Sequence, residues 1–112
     1  MSFRSALFLV LALVCAASAA EPLDDATYEA VKLCGAVDLI AIDDCGRSTV
    51  RSPEHTAARK AVGRMFDART EFMNNCLSTD RHPSDCPYIA DWHMLKGSNR
   101  AGDEYWKAKG FK

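Results

Sequence analysis

Cys34, Cys45, Cys76 and Cys86 carry the most definite chemistry in this sequence. An even set of thiols in a short chain either pairs into disulfides or holds a metal. Structural zinc sites usually take two of their thiolates from a closely spaced C-x-x-C pair. No such pair occurs here, so the expectation is two disulfides and no metal.

A second cluster of reactive types is the stretch Ser78-Thr79-Asp80-Arg81-His82-Pro83-Ser84-Asp85. It holds serine, histidine and aspartate close together. Acyl-transfer catalysis needs a nucleophile, a base and an orienting carboxylate converging beside an oxyanion hole. Nearness along the chain does not supply that convergence, and Ser, Asp and Pro are the ordinary residues of a turn. His55, His82 and His93 have no histidine four residues away, and His93 reads as a structural side chain beside Trp92. Asp24-Asp25 and Asp43-Asp44 do not fall in the oxygen-ligand spacing of a calcium loop. No phosphate-binding loop and no hydrolase elbow is present. We therefore expect no catalytic residue, no cofactor and no enzymatic activity.

The C-terminus has a different character. Tyr105, Trp106 and Phe111 alternate with Lys107, Lys109 and Lys112. Aromatics beside lysines suit a partner protein or a membrane interface. Tyr105, Trp106, Lys107, Lys109 and Phe111 are thus candidate contacts. The competing expectation is that Tyr105 and Trp106 fold back onto the core while the lysines stay solvated.

The elements that must position these residues read as helices. Residues 1–20 have the form of a secretory leader: Arg4, an apolar run from Ala6 to Ala16 too short to span a bilayer, and small residues at Ala17 to Ala20. Cleavage after Ala20 would remove Cys15 and leave residues 21–112 as one small domain with no transmembrane segment. Loss of Arg4 would move the formal net charge from −1 to −2, which argues against nucleic-acid binding. The charge is uneven. Glu21 to Cys45 holds seven acidic residues and one lysine, whereas Gly46 to Phe72 holds six basic and three acidic residues. Complementary faces on neighbouring helices would explain this.

The first helix is expected from Asp25 to about Asp44, capped by Asp24 and stopped by Gly46. Its apolar face would be Ala30, Leu33, Cys34, Val37, Ile40 and Ala41, widened by Leu39 and Ile42. The β-branched run Val37 to Ile42 could alternatively form a strand. The second helix, Ser52 to Leu77, has a good N-cap in Ser52, Pro53 at its first position and Glu54 at the positive dipole end. Its core face would be Ala58, Val62, Met65, Phe72 and Cys76, with Phe66, Met73 and Leu77 beside it. The dibasic Arg59-Lys60 lies inside this helix, which argues against processing there. The third helix would open at Cys86-Pro87, carry an inward stripe of Tyr88, Ile89, Trp92 and Leu95, and end at Gly97. Ser98 to Gly102 would be a linker before a short helix over Asp103 to Lys109. The fold class is all-α: a small disulfide-stapled bundle of three main helices plus a short C-terminal helix.

Helix geometry ranks the disulfide pairings. In a continuous first helix, Cys34 and Cys45 would stand roughly 16 Å apart, beyond the ~7 Å limit for bridged Cα atoms. A continuous second helix separates Pro53 from Cys76 by roughly 34 Å, more than the extended chain from Cys45 to Pro53 can reach at roughly 28 Å. The favoured pairing is then Cys34–Cys76 with Cys45–Cys86. A break at Gly35 or Gly63 would open Cys34–Cys86 with Cys45–Cys76.

These features point to a secreted, non-enzymatic protein that binds an extracellular partner, of the signalling, venom-component (toxin-like) or effector type. The alternative is a carrier holding an apolar small molecule among its helices, against residues such as Val37, Met65 and Phe72. Membrane activity through the cationic aromatic tail is a third class.

Overall fold

The computed structural model describes residues 21–110. The expected leader, with Cys15, and the tail residues Phe111 and Lys112 lie outside the described residues. Four helices follow in order: α1 Leu23–Cys34, α2 Leu39–Arg47, α3 Pro53–Leu77 and α4 Asp85–Ala108. Among the described residues there is no strand, so the all-α expectation holds and Val37 to Ile42 is not sheet.

The expected first helix is two helices. Gly35 adopts φ 67°, ψ 29°, and its N–H donates to the Val31 carbonyl at 2.9 Å. That left-handed cap is inexpensive only for glycine, and it ends α1 at Cys34. After a short loop, the Asp38 carboxylate accepts from the Ile40 N–H at 2.9 Å and starts α2. Asp24 and Asp25 lie in the first turn of α1, so Asp24 is not its cap. Gly46 is inside α2, which ends one residue later.

This break overturns the favoured disulfide pairing. The bonds are Cys34–Cys45 and Cys76–Cys86, each with Cα atoms 5.9 Å apart. Cys34–Cys76, Cys45–Cys86 and the alternative crossed set are all absent. A 16 Å separation excluded Cys34–Cys45 only while one straight helix joined them; the reversal at Gly35 brings α2 back to α1. Cys76–Cys86 closes the loop between α3 and α4. Each bond therefore clips neighbouring helices, and none spans the chain.

α3 follows expectation at its start: Ser52 Oγ accepts from the His55 N–H at 3.2 Å, Pro53 holds the first position and Glu54 the first turn. Ala58, Ala61, Val62, Met65, Ala68 and Cys76 are buried. Phe72 and Met73 are half-buried against this face, while Phe66 and Leu77 are exposed.

α4 departs from expectation. It passes through Gly97 and the anticipated linker without a break, so the short last helix is simply its final turns. Glycine costs about 1 kcal/mol in a helix interior. Here contact with α1 offsets that cost: Ala101 is buried, and Arg100 reaches Asp25 at 2.9 Å.

The short helix α1 is the hub. It packs most extensively against α4, then α3, whereas α3 and α4 touch each other little. One core cluster joins Leu23, Ala26, Ala30 and Val31 of α1 to Ile42 of α2, Met65 and its neighbours of α3, and Ala90 and Ala101 of α4. Alanine dominates this cluster, so the helices approach closely. The uneven charge is only partly matched between neighbours, with Arg64 of α3 3.7 Å from Glu21. No helix among the described residues is long and apolar enough to cross a membrane. The two disulfides are compatible with an oxidising, extracellular-type compartment.

Candidate functional site

Close helix packing decides which face of α4 is free. At Gly97, an added Cβ would stand 2.1 Å from the Asp24 carbonyl oxygen and 2.9 Å from the Tyr28 nitrogen. Nothing larger than hydrogen fits there. The buried positions of α4 are accordingly Cys86, Ala90, Gly97 and Ala101, all small and all on one helical face.

The large side chains go outward. Tyr88 is 76% exposed, Trp92 56% and Leu95 57%. These are the residues the sequence placed toward the core; only Ile89 of that stripe is half-buried. The spacing i, i+4, i+7 puts Tyr88, Trp92 and Leu95 in one row. Trp106 is 55% exposed and lies about five turns after Tyr88, hence on the same side of the helix, roughly 27 Å along it. The expectation that Tyr105 and Trp106 fold onto the core does not hold. Both are half exposed, and their rings meet edge to face at 5.2 Å.

Cations decorate this surface. Lys96 Nζ lies 4.6 Å from the centroid of Trp92, and Lys109 Nζ lies 5.4 Å from that of Tyr105. Lys107 is exposed on the last turn. Of the candidate contacts, Tyr105, Trp106, Lys107 and Lys109 are thus together at the end of α4. Tyr88, Trp92, Leu95 and Lys96 join them as exposed candidate contacts that the sequence reading did not name. The signal was present in the small row Cys86, Ala90, Gly97, Ala101, which marks the inner face as clearly as the large residues mark the outer one.

A polar clamp fixes the outer end of α4. Arg100 donates to Asp25 at 2.9 Å and stacks 4.2 Å from the Tyr28 ring centroid. The Tyr28 hydroxyl donates a short hydrogen bond to the Glu104 carboxylate. That bond, with partial burial and the negative charge of Glu104, raises the Tyr28 pKa above its ordinary value. The hydrogen bond to Asp25 likewise raises that of Arg100.

Other candidate chemistry stays dispersed. His82 Nδ1 is 2.6 Å from Ser84 Oγ and also accepts the Ser84 N–H. The pair is exposed, and among the described residues no carboxylate hydrogen-bonds the His82 ring. His93 sits edge-on between Phe72 and Trp92, 5.1 Å from each ring centroid. Among the described residues, all four cysteines are paired in the two disulfides, Cys34–Cys45 and Cys76–Cys86.

Val37, Met65 and Phe72 do not meet around a cavity. Met65 is fully buried in the packed core, Phe72 lies at the α3–α4 junction, and Val37 is exposed on the α1–α2 loop. Leu39 and Ile40, expected to face inward with Val37, are exposed beside it, and Leu33 is partly so. A shallow groove does exist elsewhere, lined by Arg51, Ser52, Pro53, Thr56, Ala57 and Lys60.

Compared with protein-family models, curated proteins and solved structures, the chain matches none of them.

Proposed function

We propose that this is a secreted, non-enzymatic protein that binds an extracellular protein partner through the outward face of α4. The observation that carries the reading is the row Tyr88, Trp92, Leu95 and Trp106, large and exposed on a helix whose small residues fill its inner face. Tyrosine and tryptophan concentrate binding energy in protein interfaces. A straight helix offering apolar residues at i, i+4 and i+7 suits a partner groove. Asp91 and Asp103 accompany Lys96 and Lys107 along the same exposed helix. A rim of both signs suits a protein better than an anionic bilayer.

Rigid presentation supports the reading. The Arg100–Asp25 and Tyr28–Glu104 contacts hold the outer half of α4 against α1, so little ordering cost would remain at binding. Export rests on the leader form of residues 1–20 and on the two disulfides. The carrier reading draws no comparable support, because Met65 is packed in the core with Phe72 against it, while Val37 is exposed away from both.

Paired variants test it. Trp92→Ala and Trp106→Ala are each expected to weaken partner binding by roughly 30-fold or more, the size of a hot spot. Helicity and denaturation midpoint should stay near wild type. Unchanged affinity for both variants would refute the reading.

A further inference from the structure

Endoproteases that cut after basic residues bind substrate as an extended strand and take the basic side chain into an acidic pocket. A basic residue inside a helix is not offered in that form. Among the described residues, only Arg51, Arg81 and Lys109 of the basic side chains lie outside the helices. Lys109 continues the α4 turn, with φ −84° and ψ −1°. Arg81 is folded into a bend, where its N–H reaches Thr79 Oγ1 at 3.4 Å inside the loop closed by Cys76–Cys86. Arg51 differs. The segment Ser48–Ser52 is extended at both ends, with φ −57°, ψ 136° at Ser48 and φ −124°, ψ 157° at Ser52. No turn or bend interrupts it from Ser48 to Arg51, the chain bends only at Ser52 where α3 begins, and Thr49, Val50 and Arg51 are exposed.

A side chain from α3 holds this segment open. Arg59 donates to the Ser48 carbonyl at 3.0 Å and to the Val50 carbonyl at 2.7 Å, while Thr56 Oγ1 takes another of its N–H groups at 3.0 Å. In an extended strand, alternate residues use their backbone groups on the same side. Arg59 occupies the carbonyls of residues 48 and 50. The backbone of Thr49 and Arg51 is left for a cleft, and these are the two residues whose backbone would pair there when Arg51 enters the acidic pocket.

We propose that Ser48–Ser52 is a protease-recognition segment, cut between Arg51 and Ser52 by a trypsin-like serine protease and held ready by Arg59. Water is the only co-reactant. The Arg51 C–N bond breaks, a C–O bond forms, and the products are a carboxylate at Arg51 and an amine at Ser52. The disulfide pairing gives the cut a distinctive consequence. Cys34–Cys45 lies wholly before it and Cys76–Cys86 wholly after it. No covalent bond then joins the two pieces, which are held by packing of α1 and α2 on α3 and α4 and by polar contacts such as Arg100–Asp25 and Tyr28–Glu104.

The test is limited digestion of the full, oxidised chain with trypsin far below stoichiometric amounts. Products are followed by electrophoresis in denaturant without reductant and by intact mass, scoring the first cut between residues 23 and 108. The expected first product falls apart without reductant into a piece ending at Arg51 and a piece starting at Ser52. Arg51→Gln should slow that first cut at least ~10-fold at unchanged helicity. Arg59→Gln should raise the KM for it, read by competition against a small arginine ester, several-fold. A first product that needs reductant to separate marks Arg81 and overturns the proposal, as does a first cut inside a helix. An unchanged KM in Arg59→Gln overturns the role given to Arg59.

Discussion

Gly97 of α4 lies against the backbone of Asp24 in α1 so closely that a Cβ at position 97 would stand 2.1 Å from the Asp24 carbonyl oxygen. Backbone cannot move aside as a flexible side-chain tip can. Gly97→Ala is therefore expected to destabilise the protein by about 3 kcal/mol, at the upper end of overpacking costs, although alanine is the better helix former. Chemical denaturation measures this. A stabilised variant would mean that α1 and α4 are not in that contact.

Disulfide mapping checks the topology directly. Digestion without reductant should yield Cys34 linked to Cys45 and Cys76 linked to Cys86. Replacing Cys76 and Cys86 together by serine should cost about 3 kcal/mol, as expected for a short closed loop. Peptides linking Cys34 to Cys76 would contradict the fold.

Alkaline pH should loosen the clamp on α4. The bond to Glu104 keeps the proton on Tyr28, so its folded pKa is raised. A group raised in the folded state stabilises fully below its unfolded value and loses that contribution as pH climbs through the folded value. For tyrosine, the loss begins near pH ~10. The stability difference between wild type and Tyr28→Phe should stay constant from neutral pH to about 10, then shrink. Urea unfolding of both proteins across that range would show it; a difference that grows with pH would disprove the assignment.

The helices were legible in the sequence wherever caps and period agreed. Ser52, Pro53 and Glu54 start α3 as their chemistry dictates, and Ala58, Val62 and Met65 face inward as their spacing does. Two glycines were read with the wrong consequence. Gly35 falls inside the expected first helix, yet its left-handed cap turns the chain and makes Cys34–Cys45 possible. Gly97 looked like a stop, yet its missing side chain serves a helix crossing. Both errors have one source: a glycine's role depends on what approaches it in space, which local pattern does not contain. The same gap hid the exposed row of α4. Tyr88, Trp92 and Leu95 form an apolar stripe in sequence, and apolar stripes normally face the core. Only the Ala-rich closeness of α1 and α4 reverses that choice. The exposure of Tyr105 and Trp106 was legible as one of two readings, because aromatics among lysines are unusual at a core position.

The claim that α4 binds through its outward face is tested most directly by site-specific photo-crosslinking. A photoreactive phenylalanine analogue is placed at Trp92, or at Lys60 on the exposed side of α3 as control, and each protein is irradiated in the extracellular fluid of its source. The account predicts one discrete protein adduct from position 92, lost when Leu95→Asp is added, and none from position 60. Equal adducts from both positions, or none from position 92 with the fold intact, would contradict it.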